Sequence, residues 1–219
     1  NEEIKKNEDK FTTYEDLMIF IGTWNVNGKE LKEGVMLFEW LYPIRQNKTP
    51  DIYIVGLQEI VSLNAKNIVL LSNNHKVEFW TNLIFKNLTG IDKYTLIKTA
   101  DLVGIYTLIF IKDSLMNNVK NIETLILRTG LLGTMGNKGS CMMRFDYFNT
   151  SFALACCHLS AGASNINARI SEINEIESKS FKDWKFRDHD IQFIFGDLNF
   201  RIDLDMSTCL QMIDSGHLK

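Results

Sequence analysis

Proline is nearly missing from this 219-residue chain, which has two alongside 13 glycines. That leaves no room for a low-complexity linker between folded units, so one domain is the expected count. Its four cysteines, Cys141, Cys156, Cys157 and Cys209, show no metal-type C-x-x-C spacing. Cys156 and Cys157 are adjacent within an apolar run, point to opposite faces and read as buried thiols, so a reducing, cytoplasmic setting is expected. Long hydrophobic runs are absent too: the longest, 104–111, is far too short to span a bilayer. Nor is positive charge in excess. A net charge of −3 at pH 7 excludes a globally basic nucleic-acid binder, while a local basic pocket stays open. No signal peptide is visible, and a first residue of Asn instead of Met suggests a piece of something longer.

What is present suffices for a core, because 45% of the residues are hydrophobic. Residues 1–16 are polar and charged and read as a frayed lead-in. A strand is expected over 17–23, delivering Trp24-Asn25-Val26-Asn27-Gly28, then a helix over 31–40 on the spacing of Leu31, Val35 and Phe38. The apolar run 52–57 is a buried strand ending at Gln58-Glu59. Val77, Trp80, Ile84 and Leu88 mark an amphipathic helix closed by Gly90. Strands follow over 94–98, 102–112, 119–128, 140–147 and 151–158, and the tight Phe148-Asn149-Thr150 joint suggests an antiparallel hairpin. Ile166, Ile170, Ile173 and Ile176 form another helical stripe, and 191–195 is a short strand buried on both faces. Helices separate some strands and not others. That argues for an α/β fold, a two-sheet mixed sandwich flanked by helices, instead of a doubly wound parallel sheet.

The polar residues fall at the strand tips. The first strand ends in Asn25 and Asn27, the second in Glu59, the 151–158 strand in His158, and the last in Asp197 and Asn199. Asp197 and Asn199 lie two apart, so on extended chain both can aim at one point. Singly, each has a structural explanation: asparagines suit turns, Glu59 can cap or solvate, and a lone histidine often satisfies a core contact. Together they read as one site at one edge of a sandwich. A hard divalent cation wants oxygen ligands, and Glu59 with asparagine carbonyls suits Mg2+.

The segments GTWNVNG (22–28), LQE (57–59), TGLLGTMGNKGS (129–140), HLSAG (158–162) and GDLNFRI (196–202) resemble, in order and spacing, those of the inositol polyphosphate 5-phosphatases. The likeness runs from about Phe20 to Ile202 and covers the first two-thirds of that catalytic domain. GDLN and a strand-end Glu are shared with nucleases of the superfamily, whereas TGLLGTMGNKGS followed by HLSAG is specific. The resemblance implies a deoxyribonuclease-I-like fold of the endonuclease/exonuclease/phosphatase superfamily, with 17–219 as an incomplete catalytic domain. It also implies Mg2+-dependent removal of the 5-phosphate from phosphoinositide lipid headgroups or soluble inositol polyphosphates. Carried onto these positions, Glu59 and Asn27, with Asn25 nearby, hold or orient the metal. Asp197 orients or deprotonates the attacking water, Asn199 fixes the phosphate or the water, and His158 donates to a phosphoryl oxygen. Asn137 and Lys138 suit a second phosphate on the ring. Arg201 is expected to brace Asp197. Arg169 falls where the family carries an arginine, but Ile170 follows where asparagine is common.

The family continues with a Trp-Cys-Asp-Arg and a Ser-Asp-His segment, and neither is in this sequence. The expectation is therefore a chain lacking its C-terminal part, with little activity by itself and raw sheet edges. The intact parent is expected to be a monomeric cytoplasmic enzyme that makes peripheral membrane contact and binds no nucleic acid. Two alternatives stand beside this reading: a nuclease or other phosphodiesterase of the same fold, and a non-catalytic binding or scaffolding module.

Overall fold

The computed structural model describes residues 6–7, 10–32, 34–42, 48–61, 73–129 and 138–216. Strand β1 (Ile19–Asn25) pairs in parallel with β2 (Ile52–Gln58), whose seven residues are all buried, as an unbroken apolar run demands. On its other side β2 pairs antiparallel with β4 (Ile105–Lys112), which pairs antiparallel with β3 (Tyr94–Leu102). This sheet therefore has the order β1-β2-β4-β3. The second sheet, β5-β6-β7-β8, contains β5 (Val119–Arg128), β6 (Gly139–Tyr147), β7 (Thr150–His158) and β8 (Ile191–Asp197). Its first three strands are antiparallel, while β8 joins β7 in parallel. The β6–β7 hairpin forms where the sequence indicates, around Phe148 at φ 51°.

Period-two alternation sorts the residues into layers. Ile52 and Ile54 of β2 face the other sheet and pack with Phe145, Phe152, Leu154 and Cys156. Tyr53, Val55 and Leu57 face outward, onto Trp80, Ile84 and Leu88 of helix α2 (Asn73–Thr89), which follows the single turn α1 (Phe38–Leu41). The outer face of the second sheet is covered by α3 (Ile166–Ser178) and the segment after it, through Ile176, Phe181 and Phe186. Cys156 lies between the sheets and Cys157 on the outer face, both free and buried. Helix α4 (Met206–Asp214) ends the described chain, with no residue buried. The architecture is the expected two-sheet mixed sandwich flanked by helices. Among the described residues no helix is long and apolar enough to cross a membrane.

Besides β8, expected to be buried on both faces but only half-buried at the sheet edge with Gln192 exposed, three expectations are corrected. The helix over 31–40 reduces to one turn, because Gly34 turns left-handed (φ 82°) and the Leu37 N–H donates to Asn87 Oδ1 at 2.7 Å. Leu37 and Leu41, not Phe38, carry the burial there. The break between β3 and β4 falls at Val103-Gly104, with Gly104 at φ 82°, so Leu102 belongs to β3. The third concerns α3. Its inward face holds Arg169, Glu172 and Ile176, with Ile173 half-buried, while Ile166 and Ile170 face solvent.

Candidate active site

Two parallel pairs, one in each sheet, set up the site. Parallel neighbours end at the same pole, and the registers Asn25↔Gln58 and His158↔Asp197 bring four strand ends there level. Because β1 and β8 lie against each other across the sandwich, the two sets of tips meet. The approach is tight: a Cβ on Gly56 would lie 2.4 Å from Cys156 Sγ, so only glycine lets the sheets close here.

Past β2 the chain turns at Glu59, which holds φ 55°, and past β1 it turns at Asn27, with φ 51°. The Gly28 N–H donates to the Glu59 carbonyl at 2.6 Å and locks the two turns together. At the end of β8, Gly196 takes φ 122°, and a Cβ there would sit 2.2 Å from the Cys157 carbonyl oxygen, so no other residue fits. Asn199 follows at φ 54°. Three of the sequence-identified residues thus sit in a left-handed conformation that non-glycine residues adopt only when their surroundings enforce it.

At the centre, Asn25 Nδ2 donates to Glu59 Oε1 at 3.0 Å and to Asp197 Oδ2 at 2.9 Å. One carboxamide therefore joins a carboxylate from each sheet. His158 Nε2 lies 3.7 Å from Glu59 Oε1 and 3.5 Å from Asp197 Oδ2. Lys138, expected to meet a second ring phosphate, places Nζ 2.5 Å from His158 Nε2. A charged Lys138 can only donate, so in that contact Nε2 is the acceptor. Burial holds the Lys138 pKa below its ordinary value against the pull of Asp197 and Glu59. Burial, and then the Lys138 charge, likewise lower His158, against the same two carboxylates.

Glu59, His158 and Asp197 offer donor atoms within 4.8 Å of one another. Donors around one hard cation, at roughly 2.0–2.6 Å each, lie no more than about 5 Å apart. Two carboxylates against the single Lys138 ammonium also leave the negative charge such an ion would balance. The residue set therefore fits a divalent cation.

The remaining expected residues stand close by in different ways. Asn27 gives its backbone N–H to Asn25 Oδ1 at 3.0 Å and orients that carboxamide; no side-chain hydrogen bond of Asn27 reaches the cluster among the described residues. The Asn199 N–H donates to Asp197 Oδ1 at 3.2 Å, while its carboxamide turns away, donating to the Leu159 carbonyl at 3.0 Å. Arg201 donates to Asn199 Oδ1 at 3.2 Å and so braces Asn199, where Asp197 was the expected partner. Asn137 lies outside the described residues. Sequence reasoning missed Gln58, which accepts from Thr23 Oγ1 and donates to Cys156 Sγ, tying the sheets directly beneath Glu59. It also missed Glu172, whose only signal is its place three residues after Arg169.

The chain matches the endonuclease/exonuclease/phosphatase family 2 over residues 22–219 and belongs to that family. Within it, the chain is 39% identical over 199 residues to polyphosphatidylinositol phosphatase INP53 of Saccharomyces cerevisiae, covering 90% of this chain and 18% of that protein. It is 33% identical over 226 residues to inositol-1,4,5-trisphosphate 5-phosphatase 1 of Schizosaccharomyces pombe, covering 100% of this chain and 20% of that one. It superposes with a TM-score of 0.82, at 30% identity, on the inositol polyphosphate 5-phosphatase domain of SPsynaptojanin in complex with inositol (1,4)-bisphosphate and a calcium ion. That match takes in 99% of this chain and 62% of that structure. The chain thus spans about a fifth of these two relatives and about three-fifths of the solved domain. The likeness to inositol polyphosphate 5-phosphatases extends over most of the chain, as the motifs indicate.

Proposed function

We propose that this chain forms the catalytic centre of a Mg2+-dependent phosphatase that hydrolyses the 5-phosphate of inositol phosphates, lipid-borne or soluble. The observation that carries the reading is the Asn25 carboxamide joining Glu59 and Asp197 beside His158. Glu59 would hold Mg2+, with its carboxylate oriented by Asn25 and that carboxamide fixed in turn by the Asn27 N–H, and the ion would supply charge neutralisation at the phosphoryl oxygens. Asp197, held by the Asn199 N–H, orients a water for in-line attack and accepts its proton. His158 and the Lys138 ammonium stand where a phosphoryl oxygen gains charge, and Lys138 brings the hydrogens. A water–phosphorus bond forms as the ester bond to the ring oxygen breaks; that oxygen takes a proton from solvent, and Asp197 returns to solvent the one it accepted.

The test uses the full-length protein that carries this chain. Phosphate release is followed from inositol 1,4,5-trisphosphate and from vesicles with phosphatidylinositol 4,5-bisphosphate, with Mg2+ and with a chelator. The expected product of the first is inositol 1,4-bisphosphate, formed only with Mg2+. Release of a different phosphate, or cleavage of duplex DNA in place of either substrate, would reject the reading.

A further inference from the structure

Helix α3 is turned the wrong way for its isoleucines. Ile166 and Ile170 are 50% and 47% exposed, while Arg169 and Glu172 on the opposite stripe are 1% and 5% exposed. Burying an isoleucine is worth about 1.5–3 kcal/mol, whereas burying a charge costs free energy unless it is paired and hydrogen-bonded. The orientation therefore needs a specific partner, and the turn after His158 is that partner.

Glu172 grips Ser160 twice, accepting from its N–H at 2.9 Å and from its hydroxyl at 2.6 Å. Arg169 Nη1 donates to the Ser160 carbonyl at 3.1 Å and to the Gly162 carbonyl at 2.7 Å. Every polar group of Ser160 is thus held by two side chains one helical turn apart. Leu159, between His158 and Ser160, is held from the other direction: its N–H donates to the Asp197 carbonyl and its carbonyl accepts from Asn199 Nδ2, both at 3.0 Å. The ring of Phe200, next to Asn199, lies 5.3 Å from the Arg169 guanidinium carbon and closes the circuit. A turn flanked by exposed residues could satisfy its backbone with water. Two buried charges are not needed to solvate it; they restrict its position. Arg169 Nε even remains buried without a partner, a cost the arrangement tolerates.

We infer that Arg169 and Glu172 are positioning residues that fix the 158–162 turn between α3 and the tip of β8, and so hold His158 over the Glu59 and Asp197 carboxylates. The kinetic half of this inference rests on the phosphatase reading; the structural half does not. A displacement of about 1 Å at a reacting group costs up to 10²-fold in rate, so a loosened turn appears in kcat.

The experiment compares wild-type full-length protein with Glu172→Gln, Arg169→Lys and Ser160→Ala. It reads phosphate release, thermal unfolding, and amide hydrogen exchange at Ser160 against Met143 in β6. Glu172→Gln faces both Ser160 donors with one acceptor and one donor, so kcat should fall about 10–100-fold, the usual loss when a supporting partner is removed. KM should change by less than about threefold, because ground-state binding is untouched. Ser160 exchange should quicken while Met143 exchange does not. Arg169→Lys should act in the same direction. Should Glu172→Gln fail to fold, Ser160→Ala, which removes only the hydroxyl bond, decides on the same readouts. Unchanged kcat in a folded variant, or unchanged Ser160 exchange, overturns the inference. If the wild type releases no phosphate, the phosphatase reading falls, and the Ser160 exchange alone decides the positioning.

Discussion

Replacing Asn25 by alanine removes the amide that joins the Glu59 and Asp197 carboxylates, and the size of the effect can be worked out. Two hydrogen bonds to carboxylates are lost, at 3.0 and 2.9 Å. Charge-assisted bonds contribute about 1.5–3 kcal/mol each. Because the Glu59 and Asp197 side chains are 23% and 26% exposed, solvent screens part of this and the lower figure applies. The two together are then worth about 3 kcal/mol at most, and about half of that survives where Mg2+ and substrate order the carboxylates instead. At about 1.4 kcal/mol per factor of ten, Asn25→Ala should lower kcat/KM by about 10–100-fold and raise the Mg2+ concentration needed for half-maximal rate. Asn25→Asp makes a sharper control. It turns a shared donor into a third carboxylate facing two others, so it should melt lower than Asn25→Ala without Mg2+ and recover with it. The assay is phosphate release titrated with Mg2+, alongside unfolding curves with and without the ion. An Asn25→Ala protein within threefold of wild type at every Mg2+ concentration would refute the claim that this amide holds the carboxylates in place.

Asp197→Asn should lower turnover by roughly 10²–10⁴ with little change in binding, since the amide keeps the shape but cannot accept the proton; a variant keeping a tenth of wild-type turnover makes Asp197 structural. Lys138→Ala should slow singly and multiply phosphorylated substrates alike, by about 10–100-fold, because its ammonium sits on His158; a loss confined to substrates with an extra phosphate would show that it reads the ring. Asp190, which accepts from the Ser151 N–H at 2.8 Å and hydroxyl at 2.7 Å, has its pKa lowered from 3.8 by those bonds. Its contribution is therefore present at neutral pH and lost as pH falls through the lowered value. Since Asp190 is exposed, Asp190→Asn should cost no more than about 1 kcal/mol at pH 7, or about 2–4 °C in Tm, with the gap closing below about pH 4. An equal gap at pH 3 and pH 7 would remove the charge from the account.

The strands were legible because burial on both faces leaves an unbroken apolar run, as in 52–57, and one-sided burial leaves an alternation. The chemistry was legible because Asn25, Glu59, His158 and Asp197 all interrupt that pattern at its ends. Which ends meet was not legible, since the parallel pairing of β1 with β2 and β7 with β8 is a long-range choice that no local window contains. The same reason explains the misread helices. A single carboxamide, Asn87, withdraws Leu37 from the helix that Leu31, Val35 and Phe38 announce. The needs of Ser160 outweigh the isoleucine stripe on α3. In both places a hydrogen bond between distant residues overrides a periodicity that only describes neighbours.

The left-handed backbone at Glu59 has a consequence for how this protein can change. Asparagine tolerates that conformation, and two of the three site residues that adopt it are asparagines. Glutamate does not, so Glu59→Gly would relieve about 1 kcal/mol of backbone strain while giving up both the Asn25 bond to Glu59 Oε1 and the repulsion between the two carboxylates. Any selection that rewards yield or heat resistance alone would find that substitution early and discard the carboxylate with it. Lineages relieved of the need to turn over substrate should therefore drift at this position first, and a glycine or asparagine at 59 in a related sequence would mark a copy that has kept the scaffold and left the reaction behind.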